Sequence, residues 1–212
     1  MIPLAAGAAI SNPKMKVVAI AGDGGTFSEG VNHLIHGVRN DYPIVFLMHN
    51  NENYGLTTGQ ASATTRCKTK MNGAPEGVVV PPLNACDLVL SCSPSFVART
   101  FSGDVEQMAE IMRVALNHDG FSFIEILQTC PTYNRVTPEE WYEERVKPVT
   151  DHDVTDLWAA RKICQDMDVN VATGILYRDE KRKGFMNVQT NRQGVKTSLV
   201  EEVKHYDIGK FL

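Results

Sequence analysis

The residues most able to do chemistry lie in "GDGG" (Gly22 to Gly25) and "NNENYGLTTGQ" (Asn50 to Gln60), each directly after a short apolar run. Glycines that open a helix let backbone amides come close to a phosphate. A carboxylate among them, Asp23, would be repelled by that phosphate unless a cation lay between the two. Magnesium suits such a place, because it takes few protein oxygens and fills its octahedron with phosphate and water. Asn50 and Asn51 offer neutral side-chain oxygens, and a nearby turn carbonyl offers another. The plainer alternative makes Asp23 a helix N-terminal acid worth about 0.3–1 kcal/mol, with Asn50 merely ending its strand. His33 and His36 fall on or beside a helical stripe and read as packing or surface residues, while His49 points away along its strand. Cys67, Cys86, Cys92, Cys130 and Cys164 are scattered and form no Cys-x-x-Cys pair. That argues against a self-contained zinc or iron–sulfur site, and the odd count argues against a complete disulfide framework.

The elements that must hold these residues alternate along the chain. "KVVAIAG" ends in glycine and has the composition of a strand buried on both faces. "TFSEGVNHLIHGVRND" follows, with Val31, Leu34, Ile35 and Val38 at helical spacing and a Thr26/Glu29 capping box at its start. "YPIVFLMHN" is a second buried strand, after which a polar loop runs from Asn50 to about Gly77. "CDLVLSC" fits a strand or the start of a short helix, and "SFVART" a further strand. "SGDVEQMAEIMRVALNHDG" puts Val105, Met108, Ile111, Met112, Ala115 and Leu116 on one helical face, with Gly120 as a stop. "FSFIEILQTC" is the last clear strand. The alternation predicts an α/β fold, a doubly wound, mainly parallel sheet flanked by helices. In such sheets ligands bind beyond the carboxyl ends of the strands, where both opening motifs fall.

After Pro131 the character changes. "VTPEEWYEERV" predicts a short helix with Thr137 as N-cap and Pro138 at its first position. From Asp151 the chain is more charged and holds only brief apolar pieces such as "TGILY". The expected division is therefore one domain over 1–150, holding both opening motifs, and a C-terminal extension over 151–212, packing on that domain or on a partner subunit.

The 212 residues are 43% hydrophobic, enough for a real core, and the net charge of -4 gives no reason to expect a nucleic-acid partner. No apolar run approaches membrane-spanning length, and the first residues lack the basic segment and long apolar core of a signal peptide. The expected location is the cytoplasm.

Gly-Asp-Gly followed at this distance by Asn-Asn resembles the thiamine-diphosphate-binding motif. Together with "GDGGTFSEGVNHLIHGVRN", "FVART", "HDGFSFIEILQTCPTYN" and "TGILY", the chain resembles the beta subunit of 2-oxoacid:ferredoxin oxidoreductases over most of residues 2–177. The resemblance implies the thiamine-diphosphate-binding fold. It implies Mg2+ held by the Asp23 carboxylate, the Asn51 side-chain oxygen and the Asn53 carbonyl. It implies a diphosphate lined by Gly22, Gly24 and Gly25, with Tyr54, Gly55, Leu56 and Thr57 closing over it and Thr58, Gln60, Ser62, Thr64 and Thr65 completing the loop. It also implies that Cys130, in "CPTY", is the one late-chain ligand of a [4Fe-4S] cluster that some beta subunits carry.

The activity implied is oxidative decarboxylation of a 2-oxoacid to acyl-coenzyme A with reduction of ferredoxin. "YGLTTGQASATT" resembles the 2-oxoglutarate or broad 2-oxoacid branch more than the pyruvate branch, and the resemblance favours 2-oxoglutarate. Partners implied are an alpha subunit in a hetero-oligomer, ferredoxin, a 2-oxoacid and coenzyme A. Family members begin well before the position of Met1, so the fold is expected to be N-terminally incomplete here, the cluster's other cysteines lying in the missing part. The Glu that activates the cofactor is expected on a partner subunit, so no catalytic base is assigned. Two alternatives stand beside this reading, a non-catalytic assembly subunit and half of a non-oxidative thiamine-diphosphate decarboxylase or synthase.

Overall fold

A computed structural model describes residues 1–203 and 209. Helix α1 (Ile2–Ser11) leads into β1 (Val17–Gly22), a single wide turn over Gly24–Glu29, α2 (Val31–Asn40) and β2 (Ile44–Asn50). A long irregular segment then reaches α3 (Ala85–Leu90), β3 (Phe96–Phe101), α4 (Val105–Asn117) and β4 (Ser122–Leu127). The remaining elements used below are α5 (Glu139–Arg145), β5 (Val146–Pro148), α6 (Leu157–Ile163) and β6 (Val171–Arg178).

The strands form one six-stranded sheet in the order β1-β2-β4-β3-β6-β5. The β1–β2, β2–β4 and β3–β4 pairs are parallel, whereas β6 runs antiparallel to β3. The apolar piece "TGILY" is therefore part of β6, inside the sheet and bonded to β3. Helices cover both faces, as the alternation of strands and helices predicts. On one face Ile2, Ala9, Leu34, Val38, Val89, Leu90 and Ala160, from α1, α2, α3 and α6, share a core with Phe46, Met48 and Phe123. On the other, Ile111 and Ala115 of α4 pack on Val45, Leu47, Phe96, Ala98, Ile124 and Ile126.

Local expectations change at four places, and one open alternative is resolved. β1 is an edge strand, and Val18 and Ile20 are 47% and 52% exposed, so it is buried on one face only. The Thr26/Glu29 capping box is absent. The chain makes a wide turn over Gly24–Glu29 first, and α2 begins after Gly30 without a side-chain cap. Thr26 Oγ1 instead donates to the Gly22 carbonyl at 2.7 Å, closing that turn. Pro138, not Thr137, is the cap of α5, because buried Thr137 accepts a hydrogen bond from Asn134 Nδ2. "CDLVLSC" resolves as the helix α3, whose cap Asn84 accepts from the Asp87 amide. Along α4, Ile111 and Ala115 are buried, but Val105 at its first turn is 63% exposed.

Candidate functional site

The carboxyl ends of β1 and β2 lie side by side, with Gly22 opposite His49 in the register. Asp23 follows immediately and is 1% exposed. Its Oδ2 accepts a hydrogen bond from Ser62 Oγ at 2.5 Å and one from Thr64 Oγ1 at 2.8 Å. Thr64 Oγ1 also lies 2.9 Å from Asn50 Oδ1, so one hydroxyl hydrogen stands between two acceptors. Burial pushes the Asp23 carboxyl up, an effect that the Ser62 and Thr64 hydroxyls and the Asp23 and Asn51 amides only partly offset. Among the described residues no Lys or Arg forms an ion pair with it.

Residues 50–54 form a compact turn. Asn51 Oδ1 accepts from the Asn53 amide at 3.2 Å, and the Asn51 carbonyl accepts from Asn53 Nδ2 at 2.8 Å and Asn134 Nδ2 at 3.2 Å. Glu52 adopts a left-handed φ of 60°, which reverses the chain between the two asparagines. The Asn53 carbonyl takes no hydrogen bond among the described residues. A buried carboxylate with no cationic partner, an amide oxygen with a lone pair to spare and an unclaimed carbonyl match the hard-oxygen set a magnesium ion takes. A cation there would reverse the penalty of burying Asp23.

The glycines divide into two kinds. A Cβ on Gly24 would lie 2.4 Å from the Tyr54 ring, so Gly24 is where the two motifs touch. A Cβ on Gly25 would meet nothing within 4 Å, and Gly22 and Gly25 are exposed, which leaves open space over the turn for a phosphate group. Tyr54 donates from its hydroxyl to Glu29 Oε1 at 3.2 Å and pairs through its backbone with Gln60. Between them the Gly55 carbonyl accepts from the Thr58 amide at 3.1 Å, Thr58 and Gly59 turn the chain with left-handed φ angles, Thr57 Oγ1 donates to Gln60 Oε1 at 2.6 Å, and Leu56 is 99% exposed at the tip. His49 turns to Gln128 and not to Asp23.

Cys130 lies beside this turn. Its Sγ donates to Asn53 Oδ1 at 3.6 Å and accepts from the Tyr133 amide at 3.5 Å. Burial pushes the thiol up, but the amides of Asn134, Tyr133 and Thr132 and the Asn53 side chain outweigh it and draw the thiol below its usual range. All five cysteines are unpaired, and Cys86 and Cys164 are buried in the sheet's core, where burial raises both thiols.

Asn50 is anchored towards the sheet. Its Oδ1 accepts from the Glu52 amide at 3.3 Å, and its Nδ2 donates to Glu125 Oε1 at 2.8 Å. Four charged residues around it escape a reading of the sequence. Glu125 Oε2 accepts from Arg99 Nε at 2.7 Å. Glu52 is paired with Arg66 at 3.1 Å, and burial lifts its carboxyl to about 7 despite that partner. Arg66 is itself held by Asp168 and the Met167 carbonyl, and stacks 4.4 Å over Trp141. For Arg99 and Glu125 the available signal is a charge set inside an apolar run, in "FVART" and "FIEIL", because a charge buried there needs a partner.

The family model for the thiamine pyrophosphate enzyme, C-terminal TPP binding domain, matches residues 1–126. The model for the C-terminal part of the pyruvate ferredoxin oxidoreductase beta subunit matches residues 130–192. The chain is 36% identical over 145 residues to a 2-oxoacid:ferredoxin oxidoreductase subunit beta from Saccharolobus solfataricus, covering 68% of this chain and 48% of that one. It is 38% identical over 132 residues to the 2-oxoglutarate synthase subunit KorB from Methanothermobacter marburgensis, covering 62% and 46%. Among solved structures, the 2-oxoglutarate:ferredoxin oxidoreductase from Magnetococcus marinus, with 2-oxoglutarate, coenzyme A and succinyl-CoA bound, superposes with a TM-score of 0.88 at 30% identity. That match covers 99% of this chain and 71% of the other. The chain spans about half the length of these curated relatives.

Proposed function

Because this chain belongs to the thiamine pyrophosphate enzymes, among the beta subunits of 2-oxoacid:ferredoxin oxidoreductases, we propose that it is the subunit that holds Mg2+ and thiamine diphosphate in such an enzyme. The observation that carries the reading is the buried Asp23 carboxylate, at the end of β1, without a cationic partner among the described residues. In this reading Asp23, the Asn51 side chain and the Asn53 carbonyl hold the magnesium ion. Gly22, Gly24 and Gly25 line the diphosphate, and Tyr54, Gly55, Leu56 and Thr57 close the loop over it.

When bound, thiamine diphosphate supplies the electron sink for loss of carbon dioxide from a 2-oxoacid. The chain's own part is to place the cofactor. Asp23 is fixed by two hydroxyls, Tyr54 is pressed on Gly24, and the Asn51–Asn53 turn is pinned by Asn134. Cys130 fits a cluster ligand shared with other cysteines, since its surrounding amides favour the thiolate that iron requires. Residues 1–150 would carry the cofactor, with 151–212 as the extension, whose strand β6 lies in the sheet between β3 and β5. The substrate proposed is 2-oxoglutarate, supported by the relatives named for it. Coenzyme A and ferredoxin are the co-reactants, and in the cytoplasm an alpha subunit would complete the site.

The test is to tag the chain in its native cells, purify what comes with it gently, and score partner chains, thiamine diphosphate and iron together. All three are expected, with turnover highest on 2-oxoglutarate among pyruvate, 2-oxoglutarate and branched 2-oxoacids. Asp23→Ala should retain the partners and lose the cofactor. An assembly that keeps its thiamine diphosphate after Asp23→Ala, or that comes down without any, overturns the reading.

A further inference from the structure

The Asp23 carboxylate is linked to the middle of the sheet by an unbroken set of contacts. Thr64 Oγ1 lies 2.8 Å from Asp23 Oδ2 and 2.9 Å from Asn50 Oδ1; Asn50 Nδ2 lies 2.8 Å from Glu125 Oε1; Glu125 Oε2 lies 2.7 Å from Arg99 Nε. Every member is buried, Arg99 and Glu125 completely. These last two face each other on neighbouring strands, β3 and β4. Cys86 Sγ also donates to Glu125 Oε2, so the carboxylate has partners on three sides.

We propose that Thr64 is the positioning residue for the magnesium site, orienting the Asp23 carboxylate from an anchor set by Asn50, Glu125 and Arg99. This rests on the reading of Asp23 as a magnesium ligand. A carboxylate on a short side chain still rotates about two bonds, and a magnesium ion tolerates little departure from octahedral placement. With Oδ2 engaged by Ser62 and Thr64, Oδ1 takes no side-chain hydrogen bond among the described residues and stays available to a cation. Ser62 and Thr64 both belong to the irregular segment between β2 and α3. Apart from its bond to Asp23, Ser62 is tied among the described residues to Thr64 and Thr65 of its own segment, Thr65 in turn donating to the Glu52 carbonyl at 2.6 Å. Thr64 is the one of the two whose hydroxyl hydrogen is shared between Asp23 Oδ2 and Asn50 Oδ1, and Asn50 is the last residue of β2, tied to the central strands through Glu125. Partners standing one shell behind a metal ligand commonly change metal affinity by 10- to 100-fold when removed.

The test uses the tagged assembly stripped of metal by a chelator and titrated with magnesium at fixed thiamine diphosphate, with bound cofactor measured directly. Thr64→Val keeps the shape and removes the hydroxyl; Thr64→Ser keeps the hydroxyl. Thr64→Val is expected to raise the magnesium midpoint about 10- to 100-fold, while the metal-free assembly still forms and melts cooperatively, at a midpoint lowered by the loss of one buried hydroxyl. Thr64→Ser is expected to return the magnesium midpoint to within a few-fold of it. Asp23→Asn serves as the reference and is expected to abolish magnesium-dependent uptake. If Asp23→Asn is defective and Thr64→Val binds like the unaltered protein, or Thr64→Ser fails to restore binding, the positioning role is wrong and the site reading survives. If Asp23→Asn binds normally, or the unaltered assembly takes up no cofactor at any magnesium level, both fall. Should Thr64→Val not fold, Thr64→Ala against Thr64→Ser gives the same comparison and decides it in the same way.

Discussion

Arg99 Nε donates to Glu125 Oε2 at 2.7 Å across β3 and β4, with neither side chain exposed to solvent. Arg99 also reaches towards the Ala172 carbonyl at 3.5 Å and Asn84 Oδ1 at 3.4 Å. Two charges withdrawn from water this fully are tolerated only because nearly every polar atom is matched. Removing one partner should therefore cost far more than removing both. Glu125→Leu or Arg99→Met alone is expected to lower stability by roughly 3–5 kcal/mol, and the double replacement by much less than the sum. Chemical denaturation of the four proteins of that cycle checks this. Additive losses would mean that the pair is not coupled.

This pair also marks where the sequence stops being readable. β2, β3 and β4 are legible in their apolar runs and bounding turns, and so is the placement of "GDGG" and "NNENYG" at the carboxyl end of the sheet. Arg99 and Glu125 are 26 residues apart and meet only through the β3–β4 register, which no local pattern reveals. β1 departs from expectation for a related reason. A run such as "KVVAIAG" has the same composition whether its second face is covered or, as with Val18 and Ile20, exposed. The Thr26/Glu29 spacing fits a capping box, but the wide turn over Gly24–Glu29 gives both side chains other partners. At the site itself, residue types announce Asp23 and the asparagines, while the division of labour between Asn50 and Asn51 depends on which way each side chain points.

Gly24 and Gly25 are neighbours in sequence and should respond oppositely to the same change. A methyl on Gly24 would sit 2.4 Å from the Tyr54 ring, so Gly24→Ala must displace that ring or the turn. Its expected cost is about 1–3 kcal/mol, as for other overpacked sites. Gly25→Ala meets no protein atom and should melt like the unaltered chain, yet it intrudes on the space assigned to the diphosphate. Thermal melts without cofactor, set beside thiamine diphosphate binding, separate the two. A Gly25→Ala protein that binds the cofactor normally would remove Gly25 from the site.

Glu52 gives a pH dependence with a definite sign. Burial holds its carboxyl at about 7 in the folded chain, with Arg66 opposing and Asp23 adding to the rise, against an ordinary value of 4.5. The folded state therefore keeps this proton more tightly than the unfolded one. Its contribution to stability is complete below about pH 4.5 and is lost as pH rises through 7, amounting to roughly 3 kcal/mol at full extent. Asp23, also raised by burial, acts in the same direction. In metal-free protein, denaturation from about pH 4.5 to 8 should show this fall superimposed on all other titrations, and Glu52→Gln should flatten it. Magnesium bound at Asp23 should reduce the fall further, since a cation so close favours both ionised carboxylates. A pH profile that Glu52→Gln leaves unchanged would show that Arg66 fully neutralises the Glu52 charge inside the fold.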